Sequence, residues 1–444
     1  VTIFRLPAIV ALVAALSGCA AAVPSNGIAR PDQPPPQDFL LPAIEIVAMN
    51  AAVNLVGRRT KYAPDLKVSF GSIKRNVTST WVQDHDPFVI NQLLHPFQGA
   101  MYHGMARSSG LNYWQAAAYT FAGSALWEIA GERTPPSRND QIASGIAGSF
   151  FGESLFRTAH WLLNSSGGPP GFWRTLTATV VSPPTVVNRK ILGDRFDLEA
   201  PGTAPAIDVR LELGAMAGPS PRPAAGFLMD QEVVSTTGGR QPRPFDHFRL
   251  EGRVSSAGFE RLASRGLIAG RDYRAGVVRG VWGLYGGYDY FAPDVFRLSS
   301  TSVSSGTSTT WQWPSVTLRG TVLLGVGYTV TEPVTVAATR YDVAPQALLG
   351  LQLTSRHAVL DLTAREYIIG AGAGFGSERH EAVFRGDAAL VLRLPGRHGI
   401  TLTFARSQRS VSHPGLPSAI YGRSSIGVFY TILSPRPAAA VATR

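Results

Sequence analysis

The residues equipped for chemistry sit between His85 and Leu163. Asn91, His95, Glu128, Glu132, Glu153, Arg157 and His160 punctuate a stretch that is otherwise apolar enough to pack. Asn91 and His95 are four residues apart, as are Glu128 and Glu132, a spacing that puts both members of each pair on one helix face. Glu153, Arg157 and His160 line a further stripe. Two chemistries fit these residue types. His and Glu on facing helices suit iron, manganese or zinc. The Glu-x-x-His pairs of a di-iron bundle are missing, however, and the sequence implies no metal and no cofactor. Hydrolysis would combine His95, His103 or His160 with Ser124 and Glu128, so the catalytic candidates are His95, Glu128 and Ser124. No nucleophile-elbow motif accompanies them. A third reading is structural. A buried, unpaired carboxylate costs roughly several kcal/mol, so the acids need partners, and Arg107, Arg133 and Arg157 are at hand. Asn91, His95, Arg107, Glu128, Glu132, Asp140, Glu153 and Arg157 then form a polar seam that fixes helix packing.

Three helices are expected to position these groups. Asp86 followed by Pro87 opens the first, which runs to Ser109 and stops at Gly110; Pro96 should kink it near His95. The second spans Asn112 to Ala130 and closes on Gly131. Ser137 with Asp140 three residues on has the form of a capping box for the third, which ends near Leu163 at NSSGGPPG. Gly145, Gly148, Ser149 and Gly152 allow close helix approach. Upstream, Ile44 to Val56 has the spacing of a short amphipathic helix, and Lys67 to Trp81 reads as a strand or two. The basic residues Arg58, Arg59 and Lys61 suit a phosphate-rich surface or, more simply, a solvated face. Ser108 to Trp127 is uncharged, but its Ala, Gly, Ser, Gln and Asn make it too weakly apolar for a membrane span.

The string Trp81, Asp84, Asp86, Phe88, Asn91, His95-Pro96, Gly99, Tyr102, Arg107, Gly110, Phe121, Ser124, Trp127-Glu128, Glu132, Pro136-Ser137, Asp140, Gly152-Glu153 and Arg157 resembles an uncharacterised bacterial family, the domain of unknown function 3943. The resemblance covers roughly residues 44–195 and includes Asn188-Arg189. It implies an envelope protein and supplies no catalytic residues.

Residues 1–18 combine an early Arg5, an apolar run and small residues, the pattern of a secretory signal peptide too short to span a bilayer. The initial Val points to a non-ATG start codon. Leu16-Ser17-Gly18-Cys19 resembles the lipobox of bacterial lipoproteins, in which the cysteine is acylated, with palmitate among the acyl groups expected. Cys19 is the only cysteine, which excludes an internal disulfide framework and favours a lipid acceptor. Ala20 in place of Asp favours the outer membrane by the same resemblance. Residues 19–42 form an Ala- and Pro-rich tether.

The chain has 444 residues, of which 16% are charged; glycine numbers 46 and the net charge is +11. The basic residues are thinly spread, mostly Arg, with no basic helix and no aromatic-basic module, so nucleic acid is not an expected partner. The charge matches anionic lipid surroundings instead.

After Pro205 the hydrophobic period becomes two. Val209, Leu211 and Leu213 alternate with Arg210 and Glu212; Phe248, Leu250, Gly252 and Val254 with His247, Arg249, Glu251 and Arg253; Phe384, Ala388, Leu390 and Leu392 with Arg385, Asp387 and Arg393. The same texture recurs to Leu433, in about ten to twelve segments, as a transmembrane β-barrel requires. Trp282, Tyr285, Tyr288, Tyr290, Phe291, Trp311 and Trp313 are candidates for its interfacial girdle. Ser299 to Thr310, SSTSVSSGTSTT, reads as a polar external loop. The glycine-rich run from Gly370 to Gly376 has no following helix and reads as a tight hairpin, not a nucleotide loop. Unlike many outer-membrane barrels, the chain continues past Phe429-Tyr430 without a terminal aromatic residue.

The expected architecture is therefore α+β: a signal peptide at 1–18, the tether at 19–42, a three-helix domain within 43–200, an antiparallel transmembrane barrel at 201–434 and a tail at 435–444. Its expected location is the outer membrane, lipid-anchored, with outer-membrane lipids and the barrel assembly machinery as partners and a small-molecule or lipid ligand as an option. The role is structural or concerns envelope lipids or solutes, the helices plugging or docking on the barrel through Arg210, Arg249, Arg253, Arg385 and Arg393 against Glu128, Glu132, Asp140 and Glu153. Two alternatives remain: a membrane-embedded hydrolase or lipid A-modifying enzyme with a His/Glu site on the helices, and a soluble periplasmic β-domain whose charged strand face meets water.

Overall fold

The computed structural model describes residues 36–164, 169–193, 206–218, 224–234, 242–256, 258–293, 295–333, 339–370, 380–412 and 417–434. Cys19, the signal peptide, most of the tether, the tail and the glycine run beyond Gly370 lie outside the described residues. The chain forms two compact units that divide at residues 204 and 205.

The first unit is helical. Its helices are α1 (Leu40–Gly57), α2 (Phe70–Thr78), α3 (His95–Ser108), α4 (Tyr113–Leu126), α5 (Gly148–Asn164), α6 (Phe172–Val181) and α7 (Pro183–Leu192). Among the described residues, the three expected helices and the expected helix at Ile44–Val56, here α1, are joined by α2, α6 and α7. Residues 67–81, expected as strand, hold α2. Its start is a capping box in which Ser69 accepts from the Ser72 amide and the Ser72 hydroxyl accepts from the Ser69 amide. Asn112 and Gln115 make the same reciprocal pair at the start of α4.

The helices are not uniformly α. A π turn over Ile90–Leu94 precedes α3, another over Trp127–Gly131 follows α4, and a third over Gln141–Ala147 leads into α5. The first explains what Pro96 does. Proline has no N–H to give the preceding turn, and the backbone just before it widens to the π repeat. The second turn ends at Glu132, whose backbone is already extended, so Glu128 and Glu132 do not share a continuing helix as expected. α3 and α5 cross at glycine on glycine. A Cβ on Gly148 would stand 2.7 Å from the Gly99 Cα, and one on Gly99 would collide with the Ser144 carbonyl oxygen.

The second unit is a closed antiparallel barrel of twelve strands, each paired with its sequence neighbours and β1 closing on β12. The strands are β1 (Ala206–Ala217), β2 (Ala224–Val234), β3 (His247–Ser255), β4 (Gly258–Ala275), β5 (Val278–Phe291), β6 (Phe296–Gln312), β7 (Val316–Pro333), β8 (Arg340–Ser355), β9 (Ala358–Ile369), β10 (His380–Arg393), β11 (His398–Ser412) and β12 (Ala419–Leu433). At the seam Glu212 faces Thr431 and Gly214 faces Phe429.

Alternation sorts the side chains as the period-two pattern demands. Leu213, Leu324, Leu349, Leu402, Ile426 and Val428 point outward and are exposed, while Glu212, Glu251, Arg261, Asp361 and Arg365 are buried inside. Charges in and aliphatics out is the reverse of a water-soluble sandwich, so the soluble periplasmic β-domain alternative fails. The serine-rich stretch expected as a loop is β6, paired along its length with β5 and β7. Of the expected girdle, Trp282 and Trp313 are exposed, whereas Tyr285 and Phe291 turn inward and are buried.

The lumen is filled in layers. Phe291, Phe296, Leu298, Ala344, Tyr367, Ile369 and Val383 form an apolar layer at the end where β5 passes to β6. Leu267, Val281, Tyr285, Leu323 and Leu348 form another toward the opposite end, with Val359, Val391 and Leu433 as a smaller cluster at that end. Between them lies a belt of charge.

Candidate functional sites

Glu153 on α5 is the centre of the first polar cluster and has no exposed surface. Arg107 of α3 donates to it through Nε at 2.7 Å and Nη2 at 3.2 Å. Arg157, one turn along α5, donates through Nε at 2.7 Å, and His103 Nε2 stands 2.9 Å from the second oxygen. Burial pushes the Glu153 carboxyl up, but the guanidinium charges of Arg107 and Arg157 outweigh it and hold the group well below the usual carboxylate range. For His103, burial lowers the pKa more than Glu153 raises it, so the ring is neutral at pH 7 and donates Nε2–H. The cluster is a satisfied ion pair with every strong acceptor occupied.

The second cluster is acidic. Asp84 Oδ1 accepts from Asn91 Nδ2 at 2.6 Å and from Asn139 Nδ2 at 2.8 Å, and the Asp84 amide donates to Asn139 Oδ1 at 3.0 Å. Asn139 Nδ2 also reaches Asp140 Oδ1 at 3.2 Å. Ser137 caps the following turn through the Asp140 amide, but its own amide is taken by Glu128 Oε2 at 2.9 Å, so the return bond of the expected capping box comes from another helix. Glu132 accepts from Trp127 Nε1 at 2.8 Å and from the Thr134 hydroxyl at 3.1 Å. Burial raises Asp140 well above the ordinary aspartate value, with the Asp84 charge and hydrogen bond adding to it. Burial and then the Asp140 and Glu132 charges do the same to Glu128, whose Oε1 meets no donor among the described residues. Burial thus favours the protonated forms of Glu128 and Asp140.

The catalytic candidates do not converge. His95 Nδ1 faces the Ser144 hydroxyl at 3.1 Å and its Nε2 lies 3.9 Å from Asp140 Oδ1. Burial keeps that ring neutral against the pull of Glu132, Asp84 and Asp86. Ser124 is buried on α4, and no ring nitrogen bonds its hydroxyl. His160 packs beside Phe156 and stands 3.1 Å from Asn164 Nδ2, and Arg133 is exposed. Among the described residues no three His, Cys, Asp or Glu gather as a metal site. Asp84, Asn139 and Ser144 are the members that helical spacing missed, and His103, named only as a hydrolysis candidate, is a partner of Glu153. Asp84 and Asn139 sit just outside helix interiors, where a face-sharing argument does not reach.

The barrel belt is the third site. Arg210 bonds Asp230 at 2.7 Å and Glu212 at 2.9 Å; Arg249 bonds Asp230 at 2.7 Å and, across the lumen, Asp361 at 2.8 Å. Arg261 reaches Asp387 at 3.0 Å and also pairs with Glu251, which Arg365 approaches at 3.1 Å. Arg385 grips Asp387 at 2.7 Å. Arg210, Arg249 and Arg385 find carboxylates within the barrel, and Glu153 finds its arginines within the helical unit.

A closed, even-stranded antiparallel barrel with an aliphatic exterior and charged interior is an outer-membrane-type β-barrel, here in a chain with a helical N-terminal region. The model of the domain of unknown function (DUF3943) matches residues 80–184, from Thr80 through α3 to the first turn of α7. A search of curated proteins gives no match. Similar solved structures include the anion-selective porin from Comamonas acidovorans, 9% identical over 52% of this chain and 99% of that one, with a TM-score of 0.22. The NanC porin is 9% identical over 50% and 98%, TM-score 0.27, and the outer membrane enzyme PagL is 12% identical over 51% and 98%, TM-score 0.17.

Proposed function

We propose that this is an outer-membrane protein with a sealed lumen, in which the barrel seats the helical unit in the envelope and does not serve as a diffusion pore. The observation that carries the reading is the layered filling: ion pairs spanning the lumen between two apolar layers leave charges dehydrated and paired, not lining a water path. Both ends of the barrel sequence, Ala206 and Leu433, lie at the end with the tight turns Gly276-Val277 and Arg356-His357, which fits the periplasmic side. Cys19 behind Leu16-Ser17-Gly18 supports a lipid anchor on the same side.

Planar-bilayer recording on the purified, folded protein tests the proposal. No steady conductance is expected; porin-like open channels would overturn it. Heat-modifiable gel migration reports the folded barrel, and loss of palmitate incorporation in Cys19→Ala tests the anchor.

A further inference from the structure

Two helices of the helical unit turn apolar faces outward. On α1 the exposed positions are Leu40, Ile44, Val47, Ala48, Ala51, Leu55 and Val56, without one polar side chain, and all but Val56 form a stripe at helical spacing. The opposite, buried stripe carries Asn50 and Asn54, which donate to the carbonyls of Gly123 and Gly131. α4 repeats the arrangement: Trp114, Ala118, Phe121, Ala122 and Leu126 are exposed, while Thr120, Ser124 and, just past the helix, Glu128 face in. The contacts from Asn50 and Asn54, and from the Tyr119 hydroxyl to the Phe39 carbonyl, hold the two helices side by side and pointing the same way. A water-facing helix shows the opposite pattern.

We infer that the α1–α4 face is a lipid-contacting surface, immersed in the acyl region of a bilayer with the C-terminal ends of both helices at anionic headgroups. Three observations select a bilayer over another occupant. α1 is the helix, among the described residues, that is long and apolar enough to cross a membrane, and at about 1.5 Å per residue its 18 residues approach the thickness of a hydrocarbon core. The basic residues gather at one end of the face, with Arg58, Arg59, Lys61, Lys67 and Lys74 all exposed beyond the α1 C-terminus, where their stems can reach headgroups. The exposed Phe70 and Val77 of α2 interleave with that basic collar, as at an interface. The inference goes beyond the sealed-barrel reading and does not need it: it concerns only what covers this face.

The test uses the full chain with Cys19→Ser, reconstituted in phosphatidylglycerol-containing vesicles, with single substitutions Val47→Cys, Ala51→Cys, Ala118→Cys and Ala122→Cys carrying a fluorescent label. Thr78→Cys and Thr80→Cys, exposed and off the stripes, are controls. Lipids brominated in the acyl chain should quench the four stripe labels severalfold more than the controls, and iodide should do the reverse. Stripe labels open to iodide as the controls are would overturn the inference. So would labels shielded from both quenchers, which would mean a protein partner or a second copy covers the face. Heat-modifiable migration of each variant shows whether its barrel has folded, so misfolding is read separately from either outcome.

Discussion

Replacing Glu153 by glutamine keeps the shape of the side chain and removes its charge, leaving two guanidiniums against a group with no exposed surface. Glutamine offers one acceptor oxygen where Glu153 takes four short contacts, and turns an N–H₂ toward donors. Breaking a buried pair by deleting one partner costs about 3–5 kcal/mol. For a unit of this size that corresponds to a drop in melting temperature of roughly 6–20 °C. The assay is the melt of the helical circular dichroism signal in detergent, where the strands contribute little. The pH dependence supplies a second, independent sign. A carboxyl held below its unfolded value contributes stability that is present above about pH 4.3 and is lost as pH falls from there. The gap between wild type and Glu153→Gln should therefore be full at pH 7 and shrink below about pH 4. A variant melting with wild type at pH 7, or a gap that does not change with acid, would refute the assignment of Glu153 as the ion that holds α3 to α5.

The acidic cluster should behave oppositely. Carboxyls raised above their unfolded values contribute stability that is greatest below about pH 4 and is lost as pH rises, so Asp140→Asn should gain about 1 kcal/mol at pH 8 and flatten the alkaline side of the melting profile. Gly148→Ala should lose about 1–3 kcal/mol by thermal melting, because the new methyl meets the Gly99 backbone. Leu402→Arg, outward on β11, should cost about 2–4 kcal/mol in reversible barrel unfolding in lipid if that position lies near the bilayer centre.

The barrel was legible because its two faces differ chemically: where Arg210 and Glu212 alternate with Leu211 and Leu213, a period of two is visible without any structure. β6 was not, because its inward Ser300, Ser302 and Ser304 alternate with Ser299, Thr301, Val303 and Ser305, and a strand whose outer face has a single apolar residue in this stretch shows no clear periodicity. In the helical unit, the expected packing residues Gly148 and Gly152 and the ionic partners Arg107 and Arg157 could be read from spacing. The π turns could not, since they arise from how Pro96 and the neighbouring helices accommodate one another. α2 hid behind β-branched residues, although Ser69 and Ser72 carry its capping signal. The partners that Arg210, Arg249 and Arg385 take within the barrel were not legible, because sequence gives the sign of a charge but not which of many opposite charges lies nearest.

Arg249 to Asp361 and Arg261 to Asp387 join strands that are not neighbours in the sheet: β3 to β9 and β4 to β10. These bonds exist only after β1 has met β12. An incompletely curled sheet would keep the pairs within and between neighbouring strands, Arg249–Asp230, Arg261–Glu251 and Arg385–Asp387, but would leave Asp361 without its arginine, and a one-residue slip at the seam would turn a whole strand of charges outward. The belt therefore works as a checkpoint on assembly, in which a wrongly registered barrel is penalised at several strands together and zipping up the last pair is what discharges the penalty.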